Sequence, residues 1–398
     1  MKFLRRISTG RLLVLCAGVV AVGIGTGALA LATTGGGPTP PTKPLPAAIH
    51  DALAAPPVDG ISARIQFTNH LIDSSSVQGS DPLLTGASGR LWASRDGKLR
   101  LELQSDGGAG DTQVVIDGKR FLLYSADTNT AYRGTLPQSG ARTRSFKQDG
   151  TPSIDQIRRE LTRLALHLSL SGATPTDIAG RPAYGVRIAP KHDGGLLGNA
   201  QLAWDAVHGT PLRAAVYAKG DSSPVLELRV TDISFGAVPD SVFAISPPPG
   251  TKVTDISPPS GHPAGEQRHA PVTGLSRVGK RVNFQVTAPR SLVGLPRGKV
   301  HLIEAGKENG ALVTYGNGLG GIAVVELPTS GESQSRGQSG PSGSLSELNL
   351  PKISINGVSG EELDTALGTV IHFKRRGVEY AVAGSVPPTA AEDAARGL

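Results

Sequence analysis

The sequence predicts an α+β protein built mainly from antiparallel strands, and three observations lead to that prediction. Across residues 61–67 apolar side chains alternate with polar ones, as in a strand with one solvated face. The pairs Asp96-Gly97 and Asp117-Gly118 lie between apolar runs and favour hairpin turns, because glycine readily adopts positive φ. A single amphipathic helical pattern, at residues 153–172, interrupts the strands.

A short helix comes first, at residues 45–53, where Leu45, Ala48, Ile49 and Leu53 share one face. Alternating or apolar runs then predict a series of short strands. They fall at residues 61–67, 90–93, 99–103, 113–116 and 121–124, with a return at Thr130, and at 183–188, 199–206, 212–218 and 224–235.

The interrupting helix has recognisable ends. Ser153 and Gln156 have the spacing of a capping box, and Gly172 is a natural stop. One face carries apolar side chains, which must lie on the sheet. They are Ile154, Ile157, Leu161, Leu164 and Leu168.

The N-terminus predicts export. Four cations within residues 1–11 precede an apolar run at residues 12–32 that ends in small-x-small cleavage sites. The run could also span a bilayer, so a cleaved signal and a retained membrane anchor both remain open. The only cysteine, Cys16, lies in this run, so no disulfide is expected beyond it. Residues 33–44 form a Gly/Pro-rich tether.

Charge and motif content exclude several function classes. The formal charge of +7 falls to +3 without the four N-terminal cations, so no nucleic-acid partner is predicted. Gly316, Gly318 and Gly321 match a dinucleotide fingerprint, but β-like residues follow where a helix is required. The nine histidines are scattered, and no nucleophile elbow or acid–base pair is evident. We therefore expect a protein that is not an enzyme and has no metal or cofactor.

Residues 89–102 and 117–132 carry a set of matching motif positions. They resemble the early strands of the LolA family of periplasmic lipoprotein carriers and of its relative, the sigma-E regulator RseB/MucB. The matching residues are Gly89, Trp92, Arg95, Leu99, Arg100, Asp117, Gly118, Lys119, Tyr124, Asp127 and Asn129. The family usually has Pro where this chain has Asp96-Gly97. Residues 180–186 resemble actinobacterial members, and motifs at 204–213 and 240–253 continue the resemblance in order.

The resemblance implies a curved antiparallel half-barrel sheet, with helices as a lid over an apolar cavity that takes lipid or lipoprotein acyl chains. From the residues alone, the same side chains could simply fill a core, and both interpretations stay open. The implied cavity residues are Ile65, Phe67, Leu91, Leu99, Leu101, Phe121, Leu123, Leu161, Leu164 and Leu168. Arg95 matches the arginine that latches the lid, and a solvated turn cation is the alternative.

The chain is expected to divide into a LolA/RseB-like domain at residues 45–253, a linker at 254–277 and a small α+β domain at 278–398 that resembles the RseB C-terminal domain. Its strands are predicted at 282–286, 300–304, 311–315, 322–327, 369–374 and 378–383, with a low-complexity insertion at 329–345 and a final helix at 390–398. Three functions stay open, all outside the cytoplasmic membrane, anchored or secreted. The first is a lipid or lipoprotein carrier or sensor. The second is an RseB-like regulator that binds an anti-sigma factor, which the two-domain layout favours, and the third is a cell-envelope protein with a structural role only.

Overall fold

The computed structural model describes residues 37–72, 86–106, 110–136, 151–192, 194–244, 246–256, 272–305, 308–329 and 350–398. The predicted signal or anchor with Cys16 lies outside these residues, as does the predicted insertion beyond Thr329. Within the described residues, no helix combines the length and apolarity needed to cross a membrane.

The first sheet has thirteen strands, and all neighbours but one pair run antiparallel. Two helices accompany this sheet. Helix α1 (Leu45–Ala54) comes before its first strand, and helix α2 (Ile154–Leu164) comes after its sixth strand. Its strands are β1 (Gly60–Asn69), β2 (Ala87–Ser94), β3 (Leu99–Ser105), β4 (Asp111–Asp117), β5 (Arg120–Ser125), β6 (Thr130–Thr135), β7 (Leu168–Leu170), β8 (Thr174–Ile178), β9 (Arg181–Pro190), β10 (Leu197–Asp205), β11 (Pro211–Ala218), β12 (Leu226–Phe235) and β13 (Lys252–Ile256). The predicted fold class, a curved antiparallel half-barrel in an α+β chain, is confirmed.

The second sheet has eight strands in the order β14-β15-β16-β17-β21-β20-β19-β18. Two helices accompany it, α3 (Leu275–Gly279) and α4 (Pro388–Arg396). Its strands are β14 (Ser291–Leu292), β15 (Leu295–Ala305), β16 (Glu308–Tyr315), β17 (Ile322–Pro328), β18 (Lys352–Ile355), β19 (Val358–Thr365), β20 (Gly368–Arg375) and β21 (Val378–Gly384). Each sheet has its own cluster of buried apolar residues, whereas the predicted domain boundaries stay a prediction.

The hairpin turns follow from the Asp-Gly pairs. Gly97 has φ +86° and Gly118 has φ +61°, and each lies in the turn between two paired strands. Such positive φ values are strained for residues with a Cβ, and glycine adopts them without that cost. The strand predictions on either side of both turns are confirmed.

Helix α2 begins at the predicted capping box. The Ser153 hydroxyl accepts the Gln156 backbone N–H at 3.3 Å, and the Gln156 side-chain oxygen accepts the Ser153 N–H at 2.7 Å. We expect Ser153→Ala to destabilise this helix by about 1 kcal/mol, which native-state hydrogen exchange of the α2 amides would detect. Thr162→Ala, inside the exposed face of the helix, is the control, and equal effects of the two substitutions would contradict the capping account.

The predicted extension of this helix through Leu168 to Gly172 is wrong. The helix ends at Leu164, and Leu168 begins β7, where residues 168–170 pair with β9. The Lys191 N–H donates to the His167 carbonyl, and the Lys191 ammonium donates to the Ala165 carbonyl at the helix end. Pairing with β9 therefore replaces the helical hydrogen bonds that the apolar spacing predicted.

The chain between β12 and β13 crosses the side of the sheet that carries Arg100. The Arg100 guanidinium donates to the Val242 carbonyl at 3.0 Å, Lys98 pairs with Asp240 at 2.6 Å, and Phe243 is buried. This crossing lets β13 pair in parallel with β6. Strand β13 extends into the predicted linker, and α3 lies at the linker's other end.

The predicted strand at residues 282–286 is also wrong. These residues form bends without ladder pairing, and Val282, Phe284 and Val286 pack as partly buried side chains on the second core. Their alternation reflects that packing. The strands predicted at 300–304, 311–315, 322–327, 369–374 and 378–383 are confirmed within longer strands, and the final helix is confirmed with bounds shifted to Pro388–Arg396.

Candidate functional site: an apolar face of the first sheet

Seven of the ten predicted cavity residues lie on one face of the first sheet. The register pairs Ala63 with Leu91, Leu91 with Leu101, Leu101 with Val114, and Val114 with Leu123. Since directly paired residues point to the same side of a sheet, these residues form a row across five strands. We call this side the apolar sheet face, and define it by Ile65, Phe67, Leu91, Leu99, Leu101, Phe121 and Leu123.

Burial along the apolar sheet face is uneven. Ile65 is buried, with 5% of its surface exposed, and Leu103 and Ala87 on the same face are buried as well. The side chains of the other six defining residues are only half-buried, as is that of Tyr132, which pairs with Leu123. Phe67, Leu91 and Leu101 pack against the buried cluster of this sheet, and all six side chains keep some accessible surface.

A small cavity of about 50 Å³ lies over one end of this face. Two of the predicted residues, Ile65 and Leu91, line it. The rest of the lining comes from β1, β2, β12 and the start of β11, through Ile61, Ala63, Ala93, Thr210, Pro211, Leu212, Arg213, Ala214, Leu228, Val230 and Ile233. The sequence did not single out the β11 and β12 residues, although their alternation in residues 212–218 and 224–235 carried the signal.

The helix pair lies on the same side of the sheet. Register pairs link Phe67 through Leu228, Ala214 and Leu202 to Val186, and Tyr184 is on that same face of β9. The Tyr184 hydroxyl donates to the Pro41 carbonyl at 2.6 Å, just before α1. Helix α1 packs against α2, so both helices stand over the β9 end of the face.

The three predicted cavity residues from the α2 region do not lie on the apolar sheet face as defined. Leu161 is half-buried, and Leu164 is 48% exposed at the helix end. Leu168 is half-buried in β7 rather than in the helix. The buried contact of α2 is instead made by Ile157.

Arg95, the predicted lid latch, lies in the turn between β2 and β3. Its guanidinium is 3.6 Å from the Asp59 carboxylate, and both side chains are more than half exposed. Its backbone N–H donates to the Asp59 carbonyl at 3.0 Å. These contacts connect the turn to the start of β1.

Asp205, which the sequence did not single out, is completely buried at the end of β10. It accepts hydrogen bonds from the Arg181 Nε at 2.8 Å and from the backbone N–H groups of Val207 and His208 at 2.8 and 2.6 Å. The His208 ring stacks on the Phe235 ring of β12, with 3.8 Å between the ring centroids. The Arg181 guanidinium lies 5.0 Å from the centroid of the Phe235 ring. These contacts connect the β10–β11 hairpin to β9 and β12, so the role of Asp205 is structural.

Glu326 is a second buried carboxyl group, in the core of the second sheet. One oxygen accepts the Thr287 N–H at 2.9 Å, and the other has no partner among the described residues. Burial raises the pKa of Glu326 to about 7, against the lowering effect of the Thr287 hydrogen bond. Burial, with the nearby Glu326, also raises the pKa of Tyr315 to about 12.

The remaining sequence motifs do not assemble a reactive centre in the part of the chain that the structure describes. Gly316 and Gly318 have positive φ in the turn between β16 and β17, and a strand follows them. In these same residues there is no group of three or more His, Cys, Asp or Glu side chains that could hold a metal.

The fold and this site define an α+β protein with two sheets and an accessible apolar face on the larger one. No family model matches the chain, and no curated protein matches it. Among solved structures, it is similar to MucB in complex with MucA from Pseudomonas aeruginosa, at 15% identity and a TM-score of 0.39, over 88% of this chain and 94% of that one. It is also similar to a LolA superfamily protein from Nitrosomonas europaea, at 11% identity and a TM-score of 0.22, over 51% of this chain and 98% of that one.

Proposed function

We propose that this chain is an exported, non-enzymatic protein that binds acyl chains of a lipid or lipoprotein on the apolar sheet face. The observation that supports the proposal is the row of half-buried apolar side chains across β2, β3 and β5. Contiguous accessible apolar surface costs free energy in water and commonly marks a binding site.

The chemistry of the face fits an acyl chain. Each methylene moved from water onto apolar side chains contributes about 0.8 kcal/mol, and the seven residues that define the face are all aliphatic or aromatic. The small cavity is far below the ~300–1,000 Å³ of typical ligand pockets. The acyl chain would therefore lie along the half-buried part of the face, beside Leu101 and Leu123, and not inside the cavity alone.

Adjacent leucines of β5 provide a matched test. Leu123 is on the apolar sheet face, whereas Leu122 pairs with Val115 and Arg133 on the other side, and both are half-buried. We expect Leu123→Gln to weaken binding of a fluorescent fatty acid by roughly tenfold, since it removes about 1.4 kcal/mol or more of apolar contact. Leu122→Gln should bind as the unmodified chain does.

Thermal unfolding of both variants separates binding from folding. Comparable melting temperatures together with selective loss of binding in Leu123→Gln support the proposal. Binding that is absent from the unmodified chain, or equally weakened by both substitutions, contradicts it.

A second candidate is an RseB-like regulator that binds the extracytoplasmic part of an anti-sigma factor. The observation that favours it is a second sheet held against the first, where the Leu196 N–H donates to the Ser385 hydroxyl at 2.9 Å and the Ala366 N–H donates to the Leu71 carbonyl at 3.0 Å. A single-domain carrier has no need for such a unit. Direct binding of a purified anti-sigma extracytoplasmic segment, with no lipid adduct, would favour this candidate over the first.

A further inference from the structure

Two leucines are exposed where α2 ends and the connection to β7 begins. Leu164 is 48% exposed and Leu166 is 67% exposed. The Leu166 N–H donates to the Arg163 carbonyl at 3.2 Å, which holds the two leucines on one short turn. Contiguous exposed apolar surface marks interaction sites, membrane contacts among them. We call Leu164 and Leu166 the leucine tip.

Polar groups around the leucine tip suit a lipid–water boundary. Arg163 is exposed and pairs with Glu160 at 2.6 Å, and Lys191 reaches the Ala165 carbonyl. His167 and His192 are also exposed beside the tip. Long cationic side chains keep their charged ends in water or headgroups while their stems lie along apolar material. Cations of this kind beside large apolar side chains are typical of segments that lie in a membrane interface.

The position of the tip along the chain indicates which apolar partner is near. The Pro41 carbonyl is fixed to Tyr184, and the His50 ring lies 2.9 Å from the Pro152 carbonyl just before α2. The predicted signal or anchor ends nine residues before Pro41, a span of at most about 32 Å at roughly 3.6 Å per residue. In the anchored form that the sequence allows, Pro41 and the start of α1 beside it therefore stay within a few tens of ångströms of the bilayer.

We propose that the leucine tip inserts into the surface of the lipid bilayer and docks the first sheet on the membrane. This inference rests on the proposed location outside the cytoplasmic membrane, but not on acyl binding by the apolar sheet face. Docking through the tip would bring the β9 end of that face, beneath α1 and α2, close to the lipid from which an acyl chain is drawn.

The experiment uses the full 398-residue chain with vesicles of phosphatidylethanolamine and phosphatidylglycerol. With Cys16→Ser as the background, Leu166→Cys is labelled with an environment-sensitive fluorophore, and quenching by nitroxide-bearing lipids is measured. Leu319→Cys is the matched control, because Leu319 is 55% exposed in the β16–β17 turn of the second sheet. We expect a blue shift and strong quenching at position 166, and neither at position 319.

A second variant tests the tip itself. Leu164→Ser with a label at position 166 should lose most of the quenching. Equal quenching at positions 166 and 319, or none at 166, overturns the proposal, whether or not the chain binds fatty acid. A blue shift at 166 without lipid quenching, together with a dimeric mass in solution, also overturns it and assigns the tip to a second copy of the chain.

Discussion

Asp205→Ala is expected to destabilise the protein by about 3–5 kcal/mol, because it leaves the Arg181 guanidinium without its buried carboxylate. The substitution also removes the acceptor for the backbone N–H groups of Val207 and His208. Buried donors left without partners each cost further free energy. Chemical denaturation followed by circular dichroism measures the loss.

Asp255→Ala is the matched control, because Asp255 also pairs with an arginine, Arg133, at 2.6 Å. Both of those side chains are more than half exposed, and exposed ion pairs contribute only about 0–1 kcal/mol. Similar losses for the two alanine variants would show that burial of the Asp205 group does not hold the β10–β11 hairpin in place.

Glu326→Gln is expected to stabilise the protein above neutral pH and to have much less effect in acid. Burial raises the pKa of Glu326 from 4.5 to about 7. Between these values the folded state keeps a proton that the unfolded chain has released, so the free energy of unfolding falls by about 1.4 kcal/mol per pH unit. The stability is fully present below the unfolded pKa and is lost as the pH rises toward the folded pKa, by an amount of the order of 3 kcal/mol.

The glutamine amide can still accept the Thr287 N–H that Glu326 accepts at 2.9 Å, so packing is largely retained. Unfolding free energies of variant and unmodified chain are compared at about pH 5 and about pH 8. Glu304→Gln, at an exposed position of β15, is the control. A Glu326→Gln effect that is the same at both pH values would contradict a buried, protonated carboxyl group.

Local patterns in the sequence predicted much of the fold, because hairpins and caps depend on neighbouring residues. The turns at Gly97 and Gly118 require positive φ, and the Ser153 capping box needs only Gln156 three residues on. The alternation along β1 likewise identified Ile65 and Phe67 as members of one face. The register then brought the predicted residues of β2, β3 and β5 onto that face.

Features set by distant partners were not predictable from local pattern. Strand β13 pairs with β6 across more than a hundred residues, and Leu168 leaves the helical pattern to pair with Pro190. The buried states of Asp205 and Glu326 depend on contacts such as Arg181 and Thr287 that are remote in sequence. The residues next to a polar side chain in a turn or an alternating strand do not indicate whether that side chain is buried.

The two ends of the apolar sheet face differ in how deeply their side chains are buried. Near β1 and β12, buried residues such as Ile65 and Val230 stabilise the half-barrel. Toward β5, Phe121 and Leu123 are half-buried, and more of their surface is available to a ligand. Under the proposed function, the same row of apolar side chains is core at one end and binding surface at the other.

The most direct test of acyl binding is native mass spectrometry of the chain purified after export from a native-like host, under gentle and then dissociating conditions. Acyl binding on the apolar sheet face predicts a stoichiometric adduct of lipid mass that is released on activation and is much reduced in Leu123→Gln. A folded chain that carries no adduct would contradict it, and would leave the apolar sheet face as ordinary core and the protein-binding regulator as the better proposal.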